Sequence, residues 1–347
     1  MEPTTSRVLE APNAAATTHE RTMKAVTRSR YGSADVLQVA ETDLPAVGDE
    51  DVLVRVRAAS LDRGTWHIMA GEPYLIRIAG YGLRAPKTAG LGSDMAGVIE
   101  AVGVKVTAFR PGDAVFGIAR DRAAFAEYTI ARPGKLARMP ANLTFEQAAA
   151  VPVSGLTALQ ALRDRGHLQA GQHVLIIGAS GGVGMFAVQI AKSFGAEVTG
   201  VCSTAKVDMV RSLGADHVID YTQTDITRAS ERYDLVLDIG GNRSLSALRR
   251  MLTRTGTLVL VGGEDGGRWF GGLSRQLGAM LLSPFIRQRL TMLIASENSK
   301  DLETLSAMLE SGAVTPSVER VASLAGVPEA IRDLAAGKVR GKIVITP

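Results

Sequence analysis

The sequence is poor in cysteine, with Cys202 its single thiol in 347 residues. One thiol excludes an intramolecular disulfide and any zinc site built on several cysteines. Aromatic residues amount to only 5% and form no RNP-like motif, so the stacking platform that reads single-stranded RNA is missing. Like charges never run to five or six in a row, and a net charge of +4 spread in this way is weak ground for a nucleic-acid partner. No uncharged apolar stretch reaches the roughly 18 residues of a membrane span. The most apolar run, Leu277 to Ile294, is interrupted by Pro284, Arg287 and Arg289. The segment Met1 to Thr22 has no apolar signal-peptide core, and its Ala, Thr, Pro and charged residues read as a disordered extension. These absences imply a cytoplasmic protein with neither a nucleic-acid nor a membrane partner.

What is present is an ordinary globular composition, 46% hydrophobic and 21% charged, in a chain long enough for two domains. The first half is strand-like and punctuated by Gly and Pro. Val52 to Arg57 and Ala96 to Val102 read as strands, and Pro111, Gly112 and Asp113 form a turn before Ala114 to Phe116. After Asn142 the pattern changes. Thr144 and Gln147 hold the two positions of a capping box ahead of an apolar helix, Phe145 to Val151. Short apolar strands then alternate with helical patterns: strands at Val174 to Ile177, Glu197 to Val201, His217 to Ile219, Leu235 to Asp238 and Leu258 to Val261. Helices are expected at about Val183 to Phe194 and Lys206 to Leu213, with a last strand at Lys342 to Ile345. Such alternation means βαβ units and a parallel sheet.

Between the first strand and helix of this half lie Gly178, Gly181 and Gly184, with Gly182 beside them. A turn that lets backbone approach a pyrophosphate, with the helix close on the strand, requires glycine at such positions. The helix N-terminus then offers free amides and a positive dipole end to the phosphates. A glycine-rich loop by itself is also the composition of a flexible loop; here the strand before it and the helix after it favour the dinucleotide reading. About 20 residues further on, an NAD enzyme carries an acid for the ribose hydroxyls. This chain instead has Ser203, Thr204 and Lys206, and no carboxylate between Val201 and Asp208. Hydroxyls and a lysine suit a 2′-phosphate, which points to NADPH. Ser203 and Thr204 also suit the start of the next helix, and both roles are compatible.

With these residues in view the chain resembles the zinc-free quinone oxidoreductase (ζ-crystallin-like) branch of the medium-chain dehydrogenases/reductases. The resemblance spans roughly Lys24 to Pro347. It rests on the Gly112–Asp113 turn, the segment Ala149 to Ala158 with Pro152, Gly155 and Thr157, the glycine loop, Leu213 to Ile219, and Gly341, Lys342 and Ile343. It implies an α/β architecture: a Rossmann parallel-sheet cofactor domain (146–297) and a GroES-like β-rich catalytic domain (23–145 and 298–347). A cleft lies between them, and the family often forms a homodimer. It places Ser180, Gly181, Gly182 and Val183 at the pyrophosphate and Ser203, Lys206 and Tyr221 around the 2′-phosphate and ribose. Thr157 and the Gly262–Gly263 pair come near the nicotinamide, and Lys342 joins the cofactor site. Tyr221 is equally read as a strand-end aromatic, and Lys342 as a surface lysine beside a strand.

Where zinc-dependent members carry a Cys or its equivalent, this chain has Ala59 to Asp62, and where they carry Gly-His-Glu it has Gly92, Ser93 and Asp94. No metal site is expected, and His67 reads as structural. Asp62 stands where many relatives have Asn, so a carboxylate would meet a developing oxyanion unless it is protonated or turned aside. Asp62, Trp66, Tyr74 and Ser93 are candidate cleft-lining residues, each with a structural reading of equal weight, and no catalytic residue is assigned. Without metal or a His-centred relay, hydride transfer to a small electron-poor quinone or α,β-unsaturated carbonyl is less demanding than alcohol oxidation. An alcohol dehydrogenase or aldehyde reductase is one alternative. A non-catalytic NADPH-binding sensor or structural protein is the other. The Leu- and Met-rich segment 268–294 reads either as a cleft wall or dimer surface, or as one or two amphipathic core helices.

Overall fold

The structure is a computed structural model and describes residues 22–228, 230–263 and 267–347. Most of the N-terminal extension therefore lies outside the described residues, but Thr22 does not: it opens the first strand. The catalytic half begins with the hairpin β1 (Thr22–Thr27) and β2 (Gln38–Asp43). Next come β3 (Val52–Ser60), α1 (Arg63–Ala70), β4 (Asp94–Val102), β5 (Ala114–Ala119) and β6 (Tyr128–Arg138). In β3, Val54 and Val56 are buried while Arg55 and Arg57 face out, the period of two that made the strand legible. Strand β3 pairs with both β4 and β6, and β4 and β5 complete the round, so the sheet closes on itself.

Helices α2 (Phe145–Ala149) and α3 (Pro152–Gln160) lead out of the catalytic half, with both bonds of the Thr144–Gln147 capping box formed. The cofactor half follows as β7 (His173–Ile177), α4 (Gly182–Ser193), β8 (Glu197–Cys202), α5 (Val207–Ser212), β9 (His217–Asp220), β10 (Tyr233–Asp238), α6 (Leu245–Arg250), β11 (Leu252–Leu260), α7 (Leu273–Leu282) and β12 (Arg289–Met292). The chain then returns through α8 (Ser299–Glu310), β13 (Val318–Ser323), α9 (Val327–Ala335) and β14 (Lys342–Thr346), and β14 pairs with β3.

The cofactor sheet has the order β12-β11-β10-β7-β8-β9, every pair parallel. Its order reverses between β7 and β10, and in an open α/β sheet the crevice at the carboxyl ends of such strands is where ligands bind. Both faces are covered. Val174 and Ile176 of β7 join the core that holds α3 and α4, while Leu175 and Ile177 join the core on the opposite face. The first of these cores continues into the catalytic half through Ala58, Ala96, Phe116 and Val344. Buried apolar side chains therefore weld the two halves behind the cleft.

The segment 268–294 is no pair of core helices. Only Ala279 of α7 is buried, and Leu277, Met280 and Leu281 are exposed. Ahead of α7 the chain crosses to the catalytic half: Tyr74 and Leu75 donate backbone bonds to the carbonyls of Arg268 and Trp269. Trp269 meets Tyr74 edge-on at 5.2 Å between centroids.

Candidate active site and cofactor cleft

A cleft of about 600 Å³ opens at the switch point between the two halves. Thr157, Ser180, Gly181, Gly182, Val183, Ser203, Lys206, Tyr221, Gly262, Gly263 and Lys342 all line it. They come from α3, the loop into α4, the ends of β8, β9 and β11, and β14, so the fold brings these eleven cofactor-site candidates together.

The floor is the turn from β7 into α4. Gly181 is the N-cap, without a side-chain cap, so the first amides of α4 are not occupied by a capping oxygen. A Cβ at Gly184 would lie 2.1 Å from the Gly178 carbonyl oxygen, so only glycine lets the helix start this close to the strand. At Gly182 a Cβ would come within 3.1 Å of Ser154 Oγ and Lys342 Cδ, so its absence leaves room beside two polar groups. A helix N-terminus with open amides and space for an oxyanion fits a pyrophosphate.

At the end of β8, Ser203 makes no side-chain cap bond and lines the cleft. Thr204 does not serve there: its hydroxyl donates to Asp220 Oδ2 at 2.6 Å and lies 2.8 Å from the Thr222 hydroxyl. Lys206 is half-buried, and its Nζ donates to the carbonyls of Val339 (2.8 Å) and Gly337 (3.1 Å) in the segment between α9 and β14. Burial holds its ammonium below the usual lysine range. Tyr221 is 52% exposed at the rim rather than packed on the sheet.

Lys342 is no surface lysine: it is 2% exposed. Its Nζ donates to Asp94 Oδ2 and to Ser154 Oγ, both at 3.2 Å. Asp94 also accepts from Ser60 Oγ (3.0 Å) and the Val153 amide (2.9 Å). Burial pushes the Asp94 carboxyl up to about 6; Lys342 opposes that rise, and the neighbouring Asp62 adds to it. This cluster ties β3, β4, α3 and β14 together at the cleft. Asp94 and Ser154 were not singled out as site residues in the sequence, and no local signal marks them.

Asp62 lines the cleft but is turned aside, as the N-cap of α1. Its Oδ1 accepts from the Thr65 amide (2.7 Å) and hydroxyl (3.1 Å). Its Oδ2 is buried with no protein partner. The cap was legible, an Asp just ahead of a helical segment. Trp66, Tyr74 and Ser93 do not line the cleft; Ser93 Oγ instead accepts from Arg122 at 2.7 Å. His67 does line it, with Nδ1 2.8 Å from the Glu72 carbonyl. Cys202 is buried and its thiol is pushed up to about 11, which leaves little thiolate for nucleophilic work. Sequence reasoning also missed Arg275 of α7. Its guanidinium donates to buried Asp238 (2.6 Å) and to the Gly262 carbonyl (2.8 Å), and so fixes the turn after β11.

Comparison with known proteins agrees with this two-domain fold. Residues 48–141 match the alcohol dehydrogenase GroES-like domain family, and residues 213–345 match a family described as zinc-binding dehydrogenase. A mitochondrial NAD(P)H oxidoreductase of Bos taurus is 31% identical over 98% of this chain and 94% of its own. The 2-methylene-furan-3-one reductase of Solanum lycopersicum is 30% identical over 94% of this chain and 79% of its own. The solved quinone oxidoreductase of Coxiella burnetii superposes with a TM-score of 0.83 at 28% identity, over 94% of this chain and all of that one.

Proposed function

The chain belongs to the medium-chain dehydrogenase/reductase superfamily, in its quinone oxidoreductase branch, and from that premise we propose that it is an NADPH-dependent reductase of quinones or α,β-unsaturated carbonyls. The observation that carries the reading is the convergence of the glycine turn, Ser203, Lys206, Thr157 and Lys342 on one cleft at the switch point. When bound, NADPH supplies the hydride from its nicotinamide ring. The amides of Gly182 and Val183 hold the pyrophosphate, Ser203, Lys206 and Tyr221 hold the 2′-phosphate and ribose, and Gly262 and Gly263 let the nicotinamide approach. Thr157 lines the cleft and donates its hydroxyl proton to the Val153 carbonyl at 2.6 Å, which leaves its oxygen only an acceptor's role. On this reading residues 146–297 form the cofactor domain, and residues 23–145 and 298–347 the catalytic domain.

An electron-poor acceptor needs orientation and exclusion of water more than it needs a metal or a strong base. The test is NADPH consumption across quinones, enones, aldehydes and alcohols. Turnover with quinones or enones is expected; turnover confined to alcohols, or none with any acceptor, overturns the reading.

Zinc independence is part of the proposal. Among the described residues no three His, Cys, Asp or Glu side chains are placed to hold a metal. The positions of the family's ligands are committed elsewhere, Ser93 to Arg122 and Asp94 to Lys342. Purified protein is expected to contain substoichiometric zinc and to keep its activity in chelator. One zinc per chain, or activity lost to chelator and restored by zinc, refutes it.

Among the described residues no helix is long and apolar enough to cross a membrane. Cytoplasmic residence is our reading, and cell fractionation tests it against the mitochondrial location of the bovine relative. The exposed stripe of α7 offers a surface for the homodimer that the family implies, which sedimentation would measure.

A further inference from the structure

Away from the cleft, a second cavity of about 450 Å³ is lined by the catalytic half and by Glu297, and none of its lining residues is shared with the first. Its wall is strongly basic, with Arg28, Lys87, Arg120, Arg122, Arg132 and Lys135 against two acids, Asp121 and Glu297. Most of these charges are already matched. Arg120 pairs with Asp51, Arg132 with Glu50, and Arg122 and Lys135 share Glu297. Two are not. Lys87 has no ion-pair partner among the described residues and is exposed at the mouth. Arg28, just past β1, is 3% exposed, and its Nε and Nη1 are buried without any hydrogen-bond partner.

A buried guanidinium with empty donors is costly. Removing a cation from water is repaid only by a close counter-charge and by satisfied hydrogen bonds. Burial pushes the Arg28 guanidinium below its ordinary range, and no carboxylate among the described residues pairs with it. The fixed fork of a guanidinium matches the two oxygens of a carboxylate or phosphate. The cavity is larger than either group alone and within the range of small-molecule sites, roughly 300–1,000 Å³.

We propose that this cavity binds an oxyanion-bearing small molecule, a carboxylate or phosphate toward which the Arg28 side chain turns its buried, unpaired nitrogens, with Lys87 at the mouth. The inference does not depend on the function proposed above.

The test is calorimetry and thermal denaturation at constant ionic strength, with inorganic phosphate and succinate as probes and chloride as the control for screening. Protein saturated with NADP⁺ is used, so that phosphate groups of the cofactor fill their own sites, and the series is repeated without NADP⁺. Either probe is expected to raise the wild-type melting temperature above the chloride control; which one does distinguishes a phosphoryl from a carboxylate ligand. Arg28→Met should weaken that probe about ten- to a hundredfold, the loss of hydrogen bonds to a charged group. Lys87→Ala, at an exposed position, should weaken it less. In anion-free buffer Arg28→Met should be at least as stable as wild type, because an apolar chain replaces an uncompensated buried cation. A purely structural arginine predicts the opposite. No response to either probe, an equal response in Arg28→Met, or a destabilised Arg28→Met in anion-free buffer each overturns the proposal.

Discussion

Lys206→Ala is expected to weaken NADPH binding by about ten- to a hundredfold while leaving NADH almost unchanged. On the proposed assignment, Lys206 meets the 2′-phosphate that distinguishes the two cofactors. A hydrogen bond to a charged group contributes about 1.5–3 kcal/mol, and each 1.4 kcal/mol is roughly tenfold in affinity. The structure adds a second role that could hide the first. Nζ already donates to the carbonyls of Gly337 and Val339, which leaves one of the three ammonium protons for the phosphate. Losing the side chain therefore also frees the segment between α9 and β14, and that loss is common to both cofactors. Titrating both by fluorescence or calorimetry separates the roles. Equal weakening would mean that Lys206 is only a strap. Ser203→Asp tests the same pocket in the other direction, since a carboxylate there repels the phosphate and accepts from free ribose hydroxyls. Preference should move toward NADH; an unchanged preference would remove Ser203 from the site.

Lys342→Met is expected to give a large stability loss whose size depends on pH. Removing one partner of a buried ion pair costs about 3–5 kcal/mol, because the remaining charge is left uncompensated. Here the remaining group is Asp94, whose folded pKa of about 6 already exceeds its ordinary 3.8. A carboxyl raised on folding contributes stability that is complete below its unfolded pKa and is lost as pH rises through the folded one. In the wild type that loss falls between about 3.8 and 6. Without Lys342, the group that holds Asp94 down, the folded pKa rises further, so the loss extends into the neutral range. The variant should lie close to wild type at pH 5 and far below it at pH 8.

The comparison is a difference between variants. Asp113, Asp216 and Asp301, all held below the usual carboxylate range, respond to pH identically in both. Adding Asp94→Asn to Lys342→Met removes the stranded charge and should restore most of the stability. Denaturation of the cofactor-free proteins reads this directly. A deficit independent of pH, or a double variant no better than the single, would show that Lys342 acts through packing alone.

The cofactor half was legible from the sequence because its signals are local. A strand, three glycines at fixed spacing and a helix lie within the 21 residues from His173 to Ser193, and the steric demand at Gly184 can be met by no other residue type. The missing acid at the end of β8 is equally local, which is why Ser203 and Lys206 could be named before any fold was known. Periodicity also gave β3, β4 and β7 to within a few residues. It did not give β12, a four-residue strand whose place is set by pairing with β11, nor the exposure of α7.

The tertiary structure alone decided the polar architecture around the cleft. Lys342 and Asp94 are 248 residues apart, Lys342 and Ser154 188, and Lys206 and Val339 133. No pattern of period two or 3.6 connects such positions, and the sequence read Lys342 equally well as a surface lysine. Folding reverses that reading, because β14 pairs with β3 and carries residue 342 under α3, where an ammonium persists only with a counter-charge. Asp62 shows the complementary case. The sequence specified a carboxylate at the cleft, and the start of α1 turned one of its oxygens onto the Thr65 amide, because a helix N-terminus leaves its first amides without partners.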